Sequence, residues 1–200
     1  MARTLKTWRL LPFDPERTQR FASRAGVSPV VAQLLWNRGV QDVDQVKPFL
    51  TASLAGLHPP RILPGITEAA QRILAAIRAG RKLCVYGDYD VDGTTGTAIL
   101  YGLLQRLGAD VLFHMPLRLK DGYGLNREAV ADLAAAGVTL LITVDCGIAS
   151  LDEAEVAATL GIELIITDHH QMKAELPRAA VLVHPRLPGS QYPFDGLSGA

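Results

Sequence analysis

From residue 82 onward the chain alternates between two kinds of pattern. Five short runs are almost continuously apolar: "KLCVYG" at 82–87, "DVLFHM" at 110–115, "TLLITVD" at 139–145, "IELIITD" at 162–168 and "AVLVH" at 180–184. Between the first four lie "TTGTAILYGLLQRLG" (94–108), "NREAVADLAAAG" (126–137) and "SLDEAEVAATLG" (150–161), in which apolar residues recur every three or four positions. A run apolar at successive positions has no face for water and reads as a strand covered on both sides. The amphipathic segments read as helices, and Asn126 stands where it can cap the second of them. Strands and helices in this alternation predict an α/β fold with a doubly wound, mostly parallel five-stranded sheet and right-handed crossovers.

The first 80 residues carry a different pattern, of short helices with explicit punctuation. Asp14-Pro15 opens a helix that Gly26 closes, and Ser28-Pro29 opens another that Gly39 closes. "DVDQVKPFL" (42–50) is a third, shorter helix, and "TEAAQRILAAIRAG" (67–80) a fourth that ends at Gly80. A Pro-rich connector, 51–65, lies between the last two. The expected division is a helical N-terminal segment with its connector, 1–65, followed by an α/β domain, 66–200.

The fold prediction places the polar residues. Ligands of doubly wound sheets lie outside the carboxyl ends of the strands. Asp88, Asp90 and Asp92 follow the first strand, Asp145 ends the third, and Asp168, His169 and His170 follow the fourth. Three separate motifs therefore converge on one sheet edge. So many like charges repel one another, and a bound cation is the usual relief.

Other readings of the first motif fail on spacing. "DYDVDG" matches the start of a calcium EF-hand loop, but the twelfth position from Asp88 is Ile99 rather than a bidentate Glu, and a strand precedes it. "GDYDVDGTT" lacks the G-K-[ST] ending of a phosphate loop, and no G-x-G-x-x-G dinucleotide fingerprint occurs. An aspartate can also cap the next helix, and Asp92, just before "GTTGTAIL", is the one placed to do so. One cap does not account for three acids. His58 and His114 read as structural, while His184, before Pro185, is near enough to the same edge to face it.

Mixed aspartate and histidine donors suit Mn²⁺ or Mg²⁺ rather than a thiolate-preferring metal. Four or five carboxylates exceed the needs of one ion but fit two ions about 3.5–4 Å apart, bridged by a shared aspartate. Asp145, alone on the middle strand, is the natural bridge. The residues alone thus predict a dimetal phosphoesterase.

Composition narrows the setting. Two hundred residues at 48% hydrophobic composition suffice for a core, and no apolar run reaches membrane-span length. The N-terminal "MARTLKTWRLLPFDPERTQRF" has no sustained apolar stretch and does not read as a signal peptide. Cys84 and Cys146 lack CxxC spacing and read as buried free thiols of a cytoplasmic protein. Net charge is zero but unevenly spread: residues 1–82 hold 13 Lys/Arg and 5 Asp/Glu, and residues 83–200 hold 7 and 15. That asymmetry suits an acidic half built for cations beside a basic half able to meet phosphates, although solvated helix faces give the same numbers.

"GDYDVDG", "VDCG" and "TDHH" resemble the first three motifs of the DHH phosphoesterase superfamily. "VSPVVAQLLWNRGV", "FLTASLAGLHPP", "GYGLN" and "YPFDGLSGA" extend the resemblance to its branch of single-stranded-DNA-specific exonucleases. The resemblance implies 5′-to-3′ hydrolysis of single-stranded DNA in repair and recombination, dependent on two Mn²⁺ or Mg²⁺ ions. It implies that Asp90 and Asp92, with Asp88 beside them, are metal ligands. Asp145 would be the bridging ligand and His169 a further one. His170 would stand near the scissile phosphate or leaving oxygen, with Asp168 orienting the histidine pair. By their chemistry, Arg118, Lys120 and Tyr123, in the loop "PLRLKDGYGLN", are able to contact phosphate or stack on a base, although an ordinary basic surface loop has the same composition. A single-strand-binding protein and a helicase are the candidate protein partners, with no membrane role.

Two positions depart from the family pattern: His184 stands where Asn is expected, and Gln171 where an acidic residue is expected. The family continues past "LSGA" into a fourth aspartate motif and a second domain, so a truncated chain is expected. The runner-up activities are a small-substrate DHH phosphoesterase, cleaving pyrophosphate, a cyclic dinucleotide or short oligonucleotides, and a DNA-binding module without turnover.

Overall fold

The computed structural model describes residues 9–51, 53–117, 124–194 and 196–200. They fall into two compact units, Met1–His58 and Pro59–Ala200. The division comes after His58, earlier than the expected break at 65, because Pro60–Ile62 forms a short 3-10 turn that packs with the helix after it.

The first unit is built from capped short helices. α1 (Pro15–Ala25) begins at Asp14, whose carboxylate accepts the Arg17 amide at 3.0 Å, and ends at Gly26 with φ 67°. α2 (Pro29–Asn37) is capped by Ser28, and α3 (Val43–Leu50) by Asp42. Phe21, Ala22, Ala32, Leu35, Val40 and Val46 form its small core. The ring of Trp36 meets Phe21 edge-on at 5.6 Å and carries the Arg17 guanidinium 4.4 Å from its centre.

The second unit is an α/β domain. Its elements are α4 (Ile66–Arg78), β1 (Lys82–Tyr86), α5 (Val91–Arg106), β2 (Asp110–His114), α6 (Arg127–Ala135), β3 (Leu140–Val144), α7 (Leu151–Thr159), β4 (Glu163–Thr167) and β5 (Val181–Val183). The sheet order is β2-β1-β3-β4-β5, and every pairing is parallel. Alternation along each strand divides the core into two layers. Cys84, Tyr86, Leu141 and Ile166 face the layer that holds Val130 of α6 and Ala157 of α7. Leu83, Val85, Ile142 and Ile165 face the layer that holds Ala76 of α4 and Leu104 of α5. The α/β sheet is the fold that the hydrophobic pattern predicts.

One boundary moves. α5 starts at Val91 rather than at 94, and its cap is Asp90 rather than Asp92. Asp90 is extended, with ψ −176°, and its carboxylate accepts the Gly93 amide at 3.0 Å. Asp92 therefore lies within the first helical turn, where its charge still favours the helix dipole. No helix among the described residues is long and apolar enough to cross a membrane.

The middle strand is the keystone of both layers. Leu141→Ala, at a position with no solvent exposure, is expected to cost about 2–5 kcal/mol. Urea unfolding with an unchanged slope is the measurement.

Candidate metal centre

The strand order reverses between β1 and β3, so the helices after these two strands leave on opposite faces and open a crevice at their carboxyl ends. Register brings β4 alongside, with Val144 paired to Thr167. The ladder runs one residue past each strand. The Asp145 amide donates to Thr167 O at 3.0 Å, and the Asp168 amide to Val183 O at 3.1 Å. Backbone bonds thus set the two acids at fixed heights on the sheet edge.

Asp145 is the centre of this edge. Among the described residues it is the one non-glycine with positive φ, 65°, and it is 1% exposed. Aspartate tolerates this left-handed region better than most side chains, and such strain concentrates at working sites. The turn is latched around it. Thr143 Oγ1 donates to Cys146 O at 2.7 Å, and Thr167 Oγ1 donates to Thr143 O at 2.6 Å.

Two sets of donor atoms share Asp145. Ligand atoms of Asp145, His169 and His170 lie within 4.8 Å of one another, and so do those of Asp88, Asp90 and Asp145. His169 Nε2 is 2.9 Å from Asp145 Oδ1 and 3.6 Å from Asp92 Oδ2. All five sequence-predicted metal positions, Asp88, Asp90, Asp92, Asp145 and His169, therefore meet at one place. Burial pushes the Asp145 carboxyl up to about 6, and the Asp92 and Asp90 charges push in the same direction against the nearby histidines.

Close packing depends on glycine at this edge. A Cβ on Gly93 would fall 2.6 Å from the Asp88 amide, and one on Gly87 would fall 2.1 Å from Thr97 Oγ1. α5 can therefore start directly against the end of β1.

Asp168 organises the two histidines. Its Oδ1 accepts the amides of His169 at 2.7 Å and His170 at 3.0 Å, and lies 2.8 Å from His170 Nδ1. Its Oδ2 accepts the Ile148 amide at 2.9 Å. His184 is wholly buried, with Nε2 2.8 Å from His170 O, while its Nδ1 accepts the Arg186 amide at 3.0 Å. Burial lowers its pKa, which keeps the imidazole neutral. His184 thus stands behind the pair rather than beside the acids. His114 is likewise structural, stacked on Tyr86 at 4.8 Å.

Sequence reasoning left several contacts unnoticed. The amides of Gly199 and Ala200 donate to Asp92 Oδ2 at 2.7 Å and Oδ1 at 2.8 Å. A Cβ on Gly199 would lie 2.5 Å from that of Asp145. Arg186 bonds the carbonyl oxygen of His169. These come from residues distant in sequence, and the glycine of "LSGA" was their one local signal. Arg118, Lys120 and Tyr123 lie outside the described residues.

The donor set consists of carboxylate oxygens and imidazole nitrogens, which fits a hard divalent ion. The thiols do not compete. Cys84 and Cys146 are buried and free, and burial pushes Cys84 up to about 12 and Cys146 well above its ordinary range.

A raised carboxyl pKa has a definite sign in stability. The protonated Asp145 stabilises the metal-free fold fully below about pH 4, and this contribution is lost as pH rises through about 6. Urea midpoints of the metal-free chain are therefore expected to fall across that window. Asp145→Asn, neutral throughout, is expected to flatten the fall; equal slopes would contradict the assignment.

Known proteins place this arrangement. The chain is 41% identical over 192 residues to the single-stranded-DNA-specific exonuclease RecJ of Bacillus subtilis, covering 96% of this chain and 24% of that protein. RecJ of Thermus thermophilus in complex with Mn²⁺ superposes with a TM-score of 0.69 at 34% identity, over 96% of this chain and 26% of that one. Its complex with Mg²⁺ gives 0.50 at 32% identity, over 89% and 21%. The chain thus spans about a quarter of the length of these relatives. The description "DHH family, N-terminal domain" matches residues 82–200, the segment that carries all three acidic motifs. With a family match over more than half its length, and with those motifs gathered at one sheet edge, the chain belongs to the DHH family.

Proposed function

We propose that this chain carries the metal-binding site of an exonuclease that hydrolyses phosphodiester bonds of single-stranded DNA from 5′ to 3′, in repair and recombination. The observation that carries this reading is the sharing of Asp145 between two sets of donor atoms. One shared carboxylate flanked by Asp88 and Asp90 on one side and His169 on the other is the donor pattern of a two-ion site. When bound there, Mn²⁺ or Mg²⁺ would supply Lewis acidity, making water more acidic and offsetting charge on phosphoryl oxygens. The substrate class follows from the similarity to the RecJ exonucleases, structures of which hold these metals.

The chain's own residues have distinct tasks in this reading. Asp88, Asp90, Asp92, Asp145 and His169 would hold the ions. Asp92 is pre-oriented by the two amides of Gly199 and Ala200, so its carboxylate needs little reorganisation. His170, its Nδ1 against Asp168, would face the scissile phosphate or leaving oxygen. Asp168 holds the backbone of both histidines, which keeps their rings aimed while substrate turns over. The loop with Arg118, Lys120 and Tyr123 would grip the strand through phosphate contacts and base stacking. A single-strand-binding protein and a helicase are the candidate protein partners in this reading, and the free cysteines suit the cytoplasm.

With added Mn²⁺, a 5′-labelled single-stranded oligonucleotide is expected to be degraded faster than pyrophosphate is hydrolysed. The reverse preference would favour a small-substrate phosphoesterase, and DNA binding without turnover a passive module. Asp145→Ala is expected to reduce hydrolysis to the level of a metal-free control. Near-normal turnover in that variant would mean that the site is misassigned.

Arg118→Ala is expected to weaken single-stranded DNA binding uniformly across sequences. It should lessen the dependence of log affinity on log salt by about 0.7, the loss of one phosphate contact. Binding measured by fluorescence anisotropy over a salt series is the check, and an unchanged slope would remove Arg118 from the interface.

A further inference from the structure

We propose that His184 and Arg186, just after β5, are positioning residues that clamp the His169–His170 main chain and so fix the aim of the two histidines beside the metal site. This rests on the metal-site reading above and extends it to residues that touch none of the acids proposed as ligands. Two adjacent residues carry four backbone polar groups, and each of them has a partner here. The two amides donate to Asp168 Oδ1, at 2.7 Å from His169 and 3.0 Å from His170. The His169 carbonyl accepts from the Arg186 guanidinium. The His170 carbonyl lies 2.8 Å from His184 Nε2.

The chemistry of His184 suits this use. Its Nδ1 accepts the Arg186 amide at 3.0 Å, so the ring proton sits on Nε2 and points at the His170 carbonyl. The ring is wholly buried, which leaves it one orientation. Sheet register explains its place: Thr167 pairs with Val183, so His184 comes level with Asp168. A three-residue edge strand thereby delivers two side chains to the back of the histidine turn. Histidine rings at a metal site must hold their aim closely, since small displacements of a positioned group cost much of its effect.

The test separates this clamp from the metal reading by using two measurements on the same chain. The variants are His184→Ala, His184→Gln and His184→Leu. Glutamine can place an amide nitrogen where Nε2 stands and donate to His170 O. Leucine fills much of the ring's volume but offers no polar atom to His170. Mn²⁺ affinity is read from the paramagnetic resonance of free Mn²⁺, and clamping from hydrogen exchange of the His169 and His170 amides.

The expected result is that Ala and Leu weaken Mn²⁺ binding by about 10–100-fold, the usual effect of losing an outer partner, and Gln restores most of it. Amide exchange should quicken in the same order. If Ala fails to fold, the contrast between Gln and Leu decides. Equal exchange and equal affinity in Gln, Leu and the parent chain would overturn the clamp. If the parent chain binds no Mn²⁺ while exchange still follows the expected order, the metal reading fails and the clamp stands.

Discussion

A buried carboxylate surrounded by other carboxylates is the constraint on which the rest of this domain turns. Asp145 sits at the end of the middle strand, 1% exposed, with Asp88, Asp90 and Asp92 around it. Burial and like charge both oppose its ionisation. Its backbone is held in the left-handed region at φ 65°. A fold selected for stability alone has little use for such a residue, because the same volume filled by an apolar side chain would remove both costs. Retaining it makes sense where a cation supplies the missing charge.

The surrounding structure spends much of its regularity on this one position. The Thr143 and Thr167 hydroxyls tie the turn before and after it, and the ladder bond from its own amide to Thr167 holds it level with the next strand. Gly199 passes so close that any side chain there would collide with Asp145. Gly93 and Gly87 perform the same service for Asp88 and the start of α5. The glycines are thus consequences of crowding oxygen donors into the crevice where the strand order reverses.

The histidines are supported differently. The acids hang directly from strand ends and a helix cap, whereas His169 and His170 lie in a turn with no regular hydrogen bonding of its own. Their peptide groups find partners in side chains: Asp168 from within the turn, His184 and Arg186 from beyond β5. Asp168 joins the two systems, because its second oxygen binds the Ile148 amide in the loop that follows Asp145.

The sequence by itself determined the α/β domain, because short near-continuous apolar runs such as "LLITV", alternating with amphipathic helices, fit strands covered on both faces. It also determined that three polar motifs meet at one edge, since parallel strands all present their carboxyl ends on the same side. It misplaced the start of α5 because Asp90 and Asp92 are both plausible caps, and only the backbone shows which carboxylate reaches the Gly93 amide. Its one hint that Gly199 and Ala200 return to Asp92, 107 and 108 residues away, is the glycine of "LSGA". His184 read as near enough to the acidic edge to face it, but register turned it inward behind His170. Periodicity reports which face of an element is buried, and motifs report which atoms are available. Which atoms touch is decided by strand order, register and the close approaches that glycine permits, and these exist only in the folded chain.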